Sequence, residues 1–360
     1  EQWGDDWIIW PVNGYGTPDQ VRAMLHQNKI DIVYFMTDPR FYGWLWQIEN
    51  EVRAHAPMVY YHVWDNYPYP NFNRGYYRSN DHVACISKLT YDILQTVAPE
   101  TDSSYIPHAV DGDIFRLHSA AEKQELKKSR GFDDRFVCFW NSRNARRKQS
   151  GTLIWWFKEF LDKVGHDKAT LIMHTDTKDV HGQDLEAIIH ELGLTNGEVL
   201  FSRDKVSPQD LASVYGMADL TICISDAEGF GLSTLESLSC GTPILVNMTG
   251  GLQDQVTDGE NFFGIGIEPT AKAIIGSQDV PYIYEDRISK EDFLDSLMKL
   301  YEMSPEERTA LGEGGRGWTE ERFNFDTFVE TWDNLFTKIH EDMGSWETRT
   351  GYTPYEVRVY

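Results

Sequence analysis

The sequence has few cysteines and no long apolar run. Only four cysteines occur in 360 residues, without C-x-x-C spacing, so neither a disulfide framework nor a zinc site is indicated. We expect buried thiols at these four positions, which are Cys85, Cys138, Cys223 and Cys240. No run approaches the roughly 18 apolar residues of a membrane span. No signal peptide is visible either, so the expected location is the cytoplasm.

Basic residues are also scarce. The chain has 57 acidic against 33 basic residues and a net charge of −24. Because nucleic-acid binders need a positive surface to neutralise phosphates, general affinity for nucleic acid is not expected. Apolar residues at 41% and aromatic residues at 13% indicate a globular protein, and the length allows two domains.

The most informative stretch runs from Leu220 to Gly251. An apolar run at 220–225 predicts a buried strand, and a glycine-containing loop follows it. Ser233 and Glu236 fit a capping box at the start of a helix. A second apolar run at 244–246 predicts the next strand. Strand, glycine loop, helix and strand form half of a nucleotide-binding α/β unit, with the helix N-terminus beside the loop.

Two carboxylates, Glu228 and Glu236, flank this loop. Like charges repel, so these side chains suit the hydroxyl groups of a sugar better than a phosphate. The pattern therefore predicts a ligand that carries both phosphate and sugar. The alternative is that Glu236 is only a capping residue and that Glu228 is a solvated loop acid.

The segment from Glu228 to Glu236, followed by Gly241-Thr-Pro243 and Gly250-Gly251, resembles the E-x7-E signature of the retaining family-four glycosyltransferases. The resemblance implies an α/β fold of two facing Rossmann-like domains, called GT-B. It also implies that Glu236 holds the nucleotide ribose and that Glu228 holds the transferred sugar. Backbone groups of the intervening loop would contact sugar and diphosphate; these residues are Gly229, Phe230, Gly231, Leu232 and Ser233.

A basic turn follows the strand predicted at 136–140. The resemblance implies that Arg143 and Lys148, five residues apart, clamp the diphosphate and act in catalysis together with Glu228. The alternative is a solvated basic turn. In the same family a later loop holds the nucleotide base, which implies roles for the segment from Arg203 to Val206.

The first part of the chain alternates predicted strands and helices, which favours a parallel sheet. Strands are expected at 8–12, 30–36, 58–63, 82–86 and 105–107. The family's first strand and its glycine loop are not recognisable, so we expect them to lie upstream and this domain to be incomplete. The turn at Asn13 to Gly16 is a weak substitute.

Aromatic residues are concentrated between Tyr60 and Tyr77. They line an acceptor pocket, form a base-stacking surface or pack the domain core; the candidates for the pocket are Trp64, Tyr67, Tyr69 and Phe72. In the family a histidine or an acid after this strand faces the reaction centre, which suggests His62 or Asp65. Together with Trp64 from the aromatic set, these are the acceptor-side candidates.

Three segments are expected. Residues 1–118 form the acceptor-side domain, residues 119–335 the nucleotide-sugar domain, and residues 336–360 a tail that packs toward the first domain. Glu122 to Arg130 is expected to be a charged helical linker, and the glycines at 312–317 are expected to break the last helical region. The D-x-D of Asp111 and Asp113 lies in the connection between domains, so no metal site is predicted.

The leading hypothesis is a retaining, metal-independent glycosyltransferase without a cofactor, whose donor substrate is a nucleotide sugar. The acceptor is a glycan, a lipid or a small molecule. Two alternatives are transfer to modified bases of DNA, against which the charge argues, and a non-catalytic sugar-nucleotide binder. The sequence does not indicate the sugar, the base or the oligomeric state.

Overall fold

The computed structural model describes residues 8–278, 280 and 282–352. In this part of the chain, two parallel sheets of four and six strands are accompanied by one two-stranded antiparallel hairpin. The first domain contains, in chain order, α1 (Pro18–Asn28), β1 (Val33–Met36), α2 (Gly43–Gln47), α3 (Glu49–Arg53), β2 (Met58–His62), α4 (Arg74–Arg78), β3 (His82–Cys85), α5 (Lys88–Val97) and β4 (Ser103–Tyr105). The strand predicted at 8–12 is wrong: these residues have no regular structure, and Ile8 and Ile9 are 71% and 76% exposed.

The first sheet is parallel in the order β1-β2-β3-β4. Right-handed crossovers that always advance in the same direction place their helices on one face of the sheet. On that face Met58 and Tyr60 pack with helix residues such as Ile93. The alternate strand residues, including Val59 and Tyr61, face the other way. That second face therefore needs a cover from elsewhere in the chain.

The second half contains, in chain order, α6 (Ala120–Ser129), β5 (Phe136–Asn141), α7 (Ser150–Val164), β6 (Ala169–His174), α8 (Leu185–Glu191), β7 (Val199–Ser202), α9 (Pro208–Met217), β8 (Leu220–Cys223), α10 (Leu232–Ser239), β9 (Ile244–Asn247), α11 (Gln253–Val256), β10 (Gly264–Ile267), β11 (Ala271–Ile275), β12 (Ile283–Arg287), α12 (Lys290–Glu302), α13 (Pro305–Arg322) and α14 (Phe325–Met343). The six-stranded sheet is parallel in the order β10-β9-β8-β5-β6-β7. The order reverses between β5 and β8, which are adjacent through Cys138 and Leu220. Ligands of open α/β sheets bind at the carboxyl ends of strands at such a reversal.

The charged segment Glu122 to Arg130 is packed against the second domain and is not a free linker. It lies largely in α6, where the Lys127 ammonium pairs with the carboxylate of Asp219. Lys123 Nζ lies 3.3 Å from the same carboxylate, and the amide of Val137 donates to it at 2.8 Å. A buried acid with these partners anchors α6 beside β5.

The predicted glycine break in the last helical region is wrong, because α13 continues from Pro305 to Arg322. The glycines allow α13 to approach α10 closely. A Cβ added to Gly312 would lie 1.9 Å from the carbonyl oxygen of Gly241, and one added to Gly315 would lie 2.6 Å from Leu238.

The open face of the first sheet is covered by α14, which follows the second domain in the chain. Trp332 and Ile339 of α14 are buried against Val59 and Tyr61. Beyond α14, Ser345 Oγ donates to Asp31 at 2.6 Å. The guanidinium of Arg349 lies 2.9 Å from Asp81. The predicted domain limits at 118 and 335 stay predictions; β4 ends at Tyr105 and α6 begins at Ala120. Among the described helices, none has the length and apolar character needed to cross a bilayer.

Candidate active site

A cleft of about 760 Å³ lies where the two sheets face each other. Its walls come from the loops after β1 and β2, the loops after β5 and β8, the start of α10, and the β11–β12 hairpin. Residues that line it include Thr37, Asp38, Arg40, Trp64, Asp65, His108, Asn141, Arg147, Lys148, Glu228, Phe230, Gly231, Ser233, Glu236, Ile275, Val280 and Ile283. The volume suits a ligand larger than a single sugar.

Glu228 is held by two cations from the loop after β5. The Lys148 ammonium contacts the Glu228 carboxylate, and Arg147 Nη1 lies 3.7 Å from it. Arg147 also donates to the backbone carbonyl of Ala227. Burial acts to raise the pKa of Glu228, but the charges of Lys148 and Arg147, together with hydrogen bonds from Lys148 and Ser225, lower it below its usual value. The cleft thus holds one carboxylate and two positive charges within one cluster.

The Glu228 loop rests on the paired glycines. The amide of Gly251 donates to the carbonyl of Glu228 at 3.0 Å. Gly250 has a φ of +53°, and a Cβ placed there would lie 1.7 Å from the same carbonyl oxygen. Only glycine combines that backbone conformation with so close an approach. The Gly250-Gly251 pair therefore fixes the position of Glu228.

Helix α10 begins directly after this loop. Its N-cap is Gly231, with φ +96° and no side-chain cap, so the predicted capping box of Ser233 and Glu236 is not formed. The first amides of a helix lack intrahelical acceptors and carry the positive end of the helix dipole. Because no side chain caps them, these amides are available to an anion in the cleft.

Glu236 belongs to a hydrogen-bonded chain instead of a cap. The hydroxyl of Tyr215 donates to its carboxylate at 2.6 Å, and Asn141 Nδ2 donates to the Tyr215 oxygen at 2.8 Å. Burial raises the pKa of Glu236 to about 7, although the Tyr215 hydrogen bond opposes this. These two hydrogen bonds fix the Glu236 carboxylate in the cleft, one turn into α10.

On the first-domain side, Asp65 and Trp64 line the cleft, whereas His62 does not. Burial raises the pKa of Asp65 to about 6, and Arg147 opposes the shift. Trp64 is buried with the guanidinium of Arg40 5.3 Å from its ring centroid.

The acceptor-side prediction for His62 is wrong in position. Its imidazole is fully buried, with Nε2 2.9 Å from the Tyr77 hydroxyl. Strand alternation turns His62 toward the helices and away from the cleft. Burial lowers its pKa to about 3.

The other aromatic candidates lie outside the cleft wall. Tyr69 and Phe72 are exposed at 41% and 36%, and Phe72 packs edge-on against Trp64. Tyr67 packs against the first-domain core. Of these four aromatic residues, only Trp64 lines the cleft.

Arg143 does not reach the cleft. Its guanidinium pairs with Asp179 at 2.6 Å and its side chain is 60% exposed. Arg203 points elsewhere too, pairing with Glu186 at 2.5 Å. Val206 lines a separate cavity of about 180 Å³ with His174 and Ser202. The structure therefore brings together Lys148, Glu228 and Glu236, and places Arg147 where the sequence suggested Arg143.

Several cleft residues had no clear sequence signal. Arg147 stands in a run of basic residues, and only the short helical turn at Arg146–Lys148 decides which of them faces Glu228. His108, whose pKa burial lowers to about 4, packs edge-on against Phe230 at 5.2 Å. The hydrogen bond from Tyr215 to Glu236 has no sequence signal apart from the place of Tyr215 in α9, just before β8.

The D-x-D segment forms a local turn. Asp111 Oδ1 accepts from the amide of Asp113 at 2.9 Å, so the Asp111 carboxylate is occupied by a backbone amide of its own turn. Among the described residues, no group of three or more histidine, cysteine or acidic side chains is arranged to hold a metal ion.

Comparison with known sequences decides the family. The family model for glycosyl transferases group 1 matches residues 122–318, which include both cleft loops and α10. The chain belongs to this family. This is the glycosyltransferase family four, with the GT-B fold, that the E-x7-E resemblance implied.

Relatives of this chain are named for diverse compounds. It is 29% identical over 160 residues to the D-inositol 3-phosphate glycosyltransferase of Corynebacterium jeikeium, covering 43% of this chain and 38% of the relative. It is 26% identical over 240 residues to the alpha-monoglucosyldiacylglycerol synthase of Streptococcus pneumoniae, covering 65% of this chain and 51% of the relative. The chain thus spans about half of these relatives or less.

Solved structures share the fold. Sucrose-phosphate synthase from Thermosynechococcus elongatus superposes with a TM-score of 0.72 at 17% identity, covering 90% of this chain and 77% of that one. The Anabaena protein HepE, in complex with UDP and glucose, gives a TM-score of 0.68 at 17% identity and covers 88% and 81%.

Proposed function

We propose that this glycosyltransferase moves a sugar from a nucleotide-sugar donor to a hydroxyl group of an acceptor, with retention and without a metal ion. The observation that carries the proposal is the cluster of Glu228, Lys148 and Arg147 beside the uncapped start of α10. Positive charge from two side chains and a helix N-terminus converges there, where a departing diphosphate gains negative charge. The HepE complex with UDP-glucose adds support for a nucleotide-sugar donor.

Each group in the cleft has a role in this proposal. Lys148 and Arg147 bind the diphosphate, and the α10 amides complete its shell. Glu228 orients the sugar hydroxyls and stabilises positive charge at the anomeric carbon. Glu236, oriented by Tyr215, accepts hydrogen bonds from the ribose. Asp65 and Trp64 face the acceptor side.

The reaction needs no side-chain nucleophile. The bond between the anomeric carbon and the diphosphate oxygen breaks, and a bond to the acceptor oxygen forms on the same face. The acceptor proton passes to the leaving phosphate. The acceptor is a glycan, a lipid or a small molecule. Nucleic acid is disfavoured by the net charge of −24.

A thermal-shift screen with UDP-, GDP- and ADP-sugars tests the donor site. We expect at least one of them to raise the melting temperature, because a ligand that binds only the folded state stabilises it by mass action. Free sugars without the nucleotide are the control and should give no shift. Absence of a shift with every nucleotide sugar would contradict the proposal.

Lys148→Ala separates transfer from simple binding. We expect it to abolish sugar transfer and donor hydrolysis, because Lys148 supplies positive charge to the leaving group. A protein that binds the donor but shows no turnover even before substitution would favour the non-catalytic binder.

A further inference from the structure

The β11–β12 hairpin belongs to neither sheet and crosses the cleft. It leaves the second domain after β10 and returns to it before α12. Ile275 and Ile283 are directly opposite each other in the ladder. Residues in such a pair share one face, and both of these line the cleft. Ile274, on the other face, is 68% exposed.

The base of the hairpin is fixed to the second domain next to the candidate active site. The amide of Asp286 donates to the carbonyl of Asp226 at 2.9 Å, and Thr249 Oγ1 donates to the Asp286 carboxylate at 2.8 Å. Glu285 is buried and paired with Arg146 at 2.5 Å. Arg146 is adjacent to the two cations that contact Glu228.

The hairpin is also fixed to the first domain. Val280 is only 6% exposed and belongs to the core cluster that contains Trp64. Asn66 Nδ2 donates to the carbonyl of Tyr284 at 2.9 Å, and the amide of Tyr284 donates to the carbonyl of Tyr67. An apolar anchor and two hydrogen bonds thus attach a second-domain segment to the loop after β2.

We infer that this hairpin is a wall of the reaction cleft that keeps water from the bound donor, and that Val280 is the positioning residue that holds the wall against the first domain. The inference rests on the proposed function for its chemical consequence. The hairpin closes the cleft on its own side. Ile275 and Ile283 give this wall an apolar inner face, which offers no hydrogen bond to water. Exclusion of water protects an activated donor from hydrolysis.

The test compares two β-branched residues of the same hairpin. Val280→Ser removes the anchor, whereas Ile274→Ser changes an exposed position and serves as the control. UDP-glucose, GDP-mannose and ADP-glucose are the probes, with affinity measured by calorimetry and hydrolysis by release of free sugar. We expect Val280→Ser to raise the hydrolysis rate at least about threefold at unchanged donor affinity, since it admits water. Ile274→Ser should hydrolyse the donor at the native rate. The conservative variant Val280→Ile should keep that low rate.

A readout independent of activity follows the same variants. Amide hydrogen exchange at Tyr284, whose N–H is bonded across the domain boundary, should accelerate in Val280→Ser and not in Ile274→Ser. If no probe binds the native chain, the proposed function fails, and exchange alone then decides whether Val280 holds the bridge. If a donor binds and Val280→Ser leaves hydrolysis unchanged or lowers it, the wall is refuted while the donor site stands. Unchanged amide hydrogen exchange at Tyr284 in Val280→Ser also refutes the wall.

Discussion

Two arginines in one basic turn have different surroundings. Arg143 is paired with Asp179 and is largely exposed, whereas Arg147 contacts the Glu228 loop inside the cleft. Burial lowers the pKa of Arg147, but Glu228 and Asp65 raise it by more, so the pKa stays above its usual value. The family spacing, which pointed to Arg143, describes positions along the chain and not the direction of a side chain.

Arg147→Ala and Arg143→Ala therefore form a matched pair. Arg147→Ala should weaken binding of the donor identified by thermal shift at least about tenfold, because a charge-assisted hydrogen bond contributes about 1.5–3 kcal/mol. Arg143→Ala should change it less than about twofold, as expected for an exposed ion pair. Calorimetric titration measures both. The reverse order of effects would return the diphosphate contact to Arg143.

Glu236 should reduce stability at neutral pH. Its folded pKa of about 7 lies above the ordinary 4.5, so the unfolded chain releases this proton first as the pH rises. Stability is lost as the pH increases from about 4.5 to 7, by up to about 3 kcal/mol. Glu236→Gln should therefore melt higher than the native chain at pH 8, with a smaller difference at pH 5.

The same substitution should weaken donor binding, because an amide is a poorer acceptor for the ribose hydroxyls than a carboxylate. Thermal melts at the two pH values and a donor titration at pH 8 test both effects. A variant that is less stable than the native chain at pH 8 would contradict the raised pKa.

At the scale of elements, strands that follow apolar runs were predicted well. The strand predicted at 58–63 is observed at Met58–His62, and the one predicted at 82–86 is observed at His82–Cys85. β10 was missed because its Gly264-Ile-Gly-Ile sequence has a composition that is rare in strands. Tertiary contact explains the glycine: a Cβ on Gly266 would lie 2.2 Å from Met248 Sδ.

Two glycines of α13 should respond in opposite directions. Gly312→Ala meets the carbonyl of Gly241 and should destabilise by about 2 kcal/mol or more, as overpacking does. Gly317→Ala meets nothing within 4 Å and should stabilise by about 0.5–1 kcal/mol through helix propensity. Urea denaturation of both variants measures this. Equal effects would mean that α13 does not approach α10 as described.

At the scale of the molecule, α14 ties the two domains together. Trp332 is 7% exposed and meets the rings of Tyr61 and Tyr34 at 4.9 and 5.2 Å. These contacts cover the sheet face that the first domain's own crossovers leave open. The first domain thus depends for its core on a helix from the far end of the described chain.

Trp332→Ala should uncouple the domains. Loss of a buried tryptophan lowers the free energy of unfolding by about 3–5 kcal/mol, and here the first domain loses that stability. We expect urea unfolding to separate into two steps, the second still shifted by donor. Val329→Ala, at a 51% exposed position of the same helix, should change stability by less than about 0.5 kcal/mol. A single unshifted transition in Trp332→Ala would contradict this role for α14.

Lys148 was indicated only by the family resemblance, as a contact to the diphosphate. The sequence by itself determined the α/β class and the loop between Glu228 and Glu236. These features are local: an apolar run, a glycine turn and a helix start follow one another within about thirty residues, and short-range sterics suffice to specify them. Only the tertiary structure decided that Arg147 and not Arg143 faces Glu228, that His62 points into the core, and that the hairpin bridges the cleft. Each of these depends on side-chain direction or on contacts between residues far apart in the chain, which periodicity and spacing do not encode.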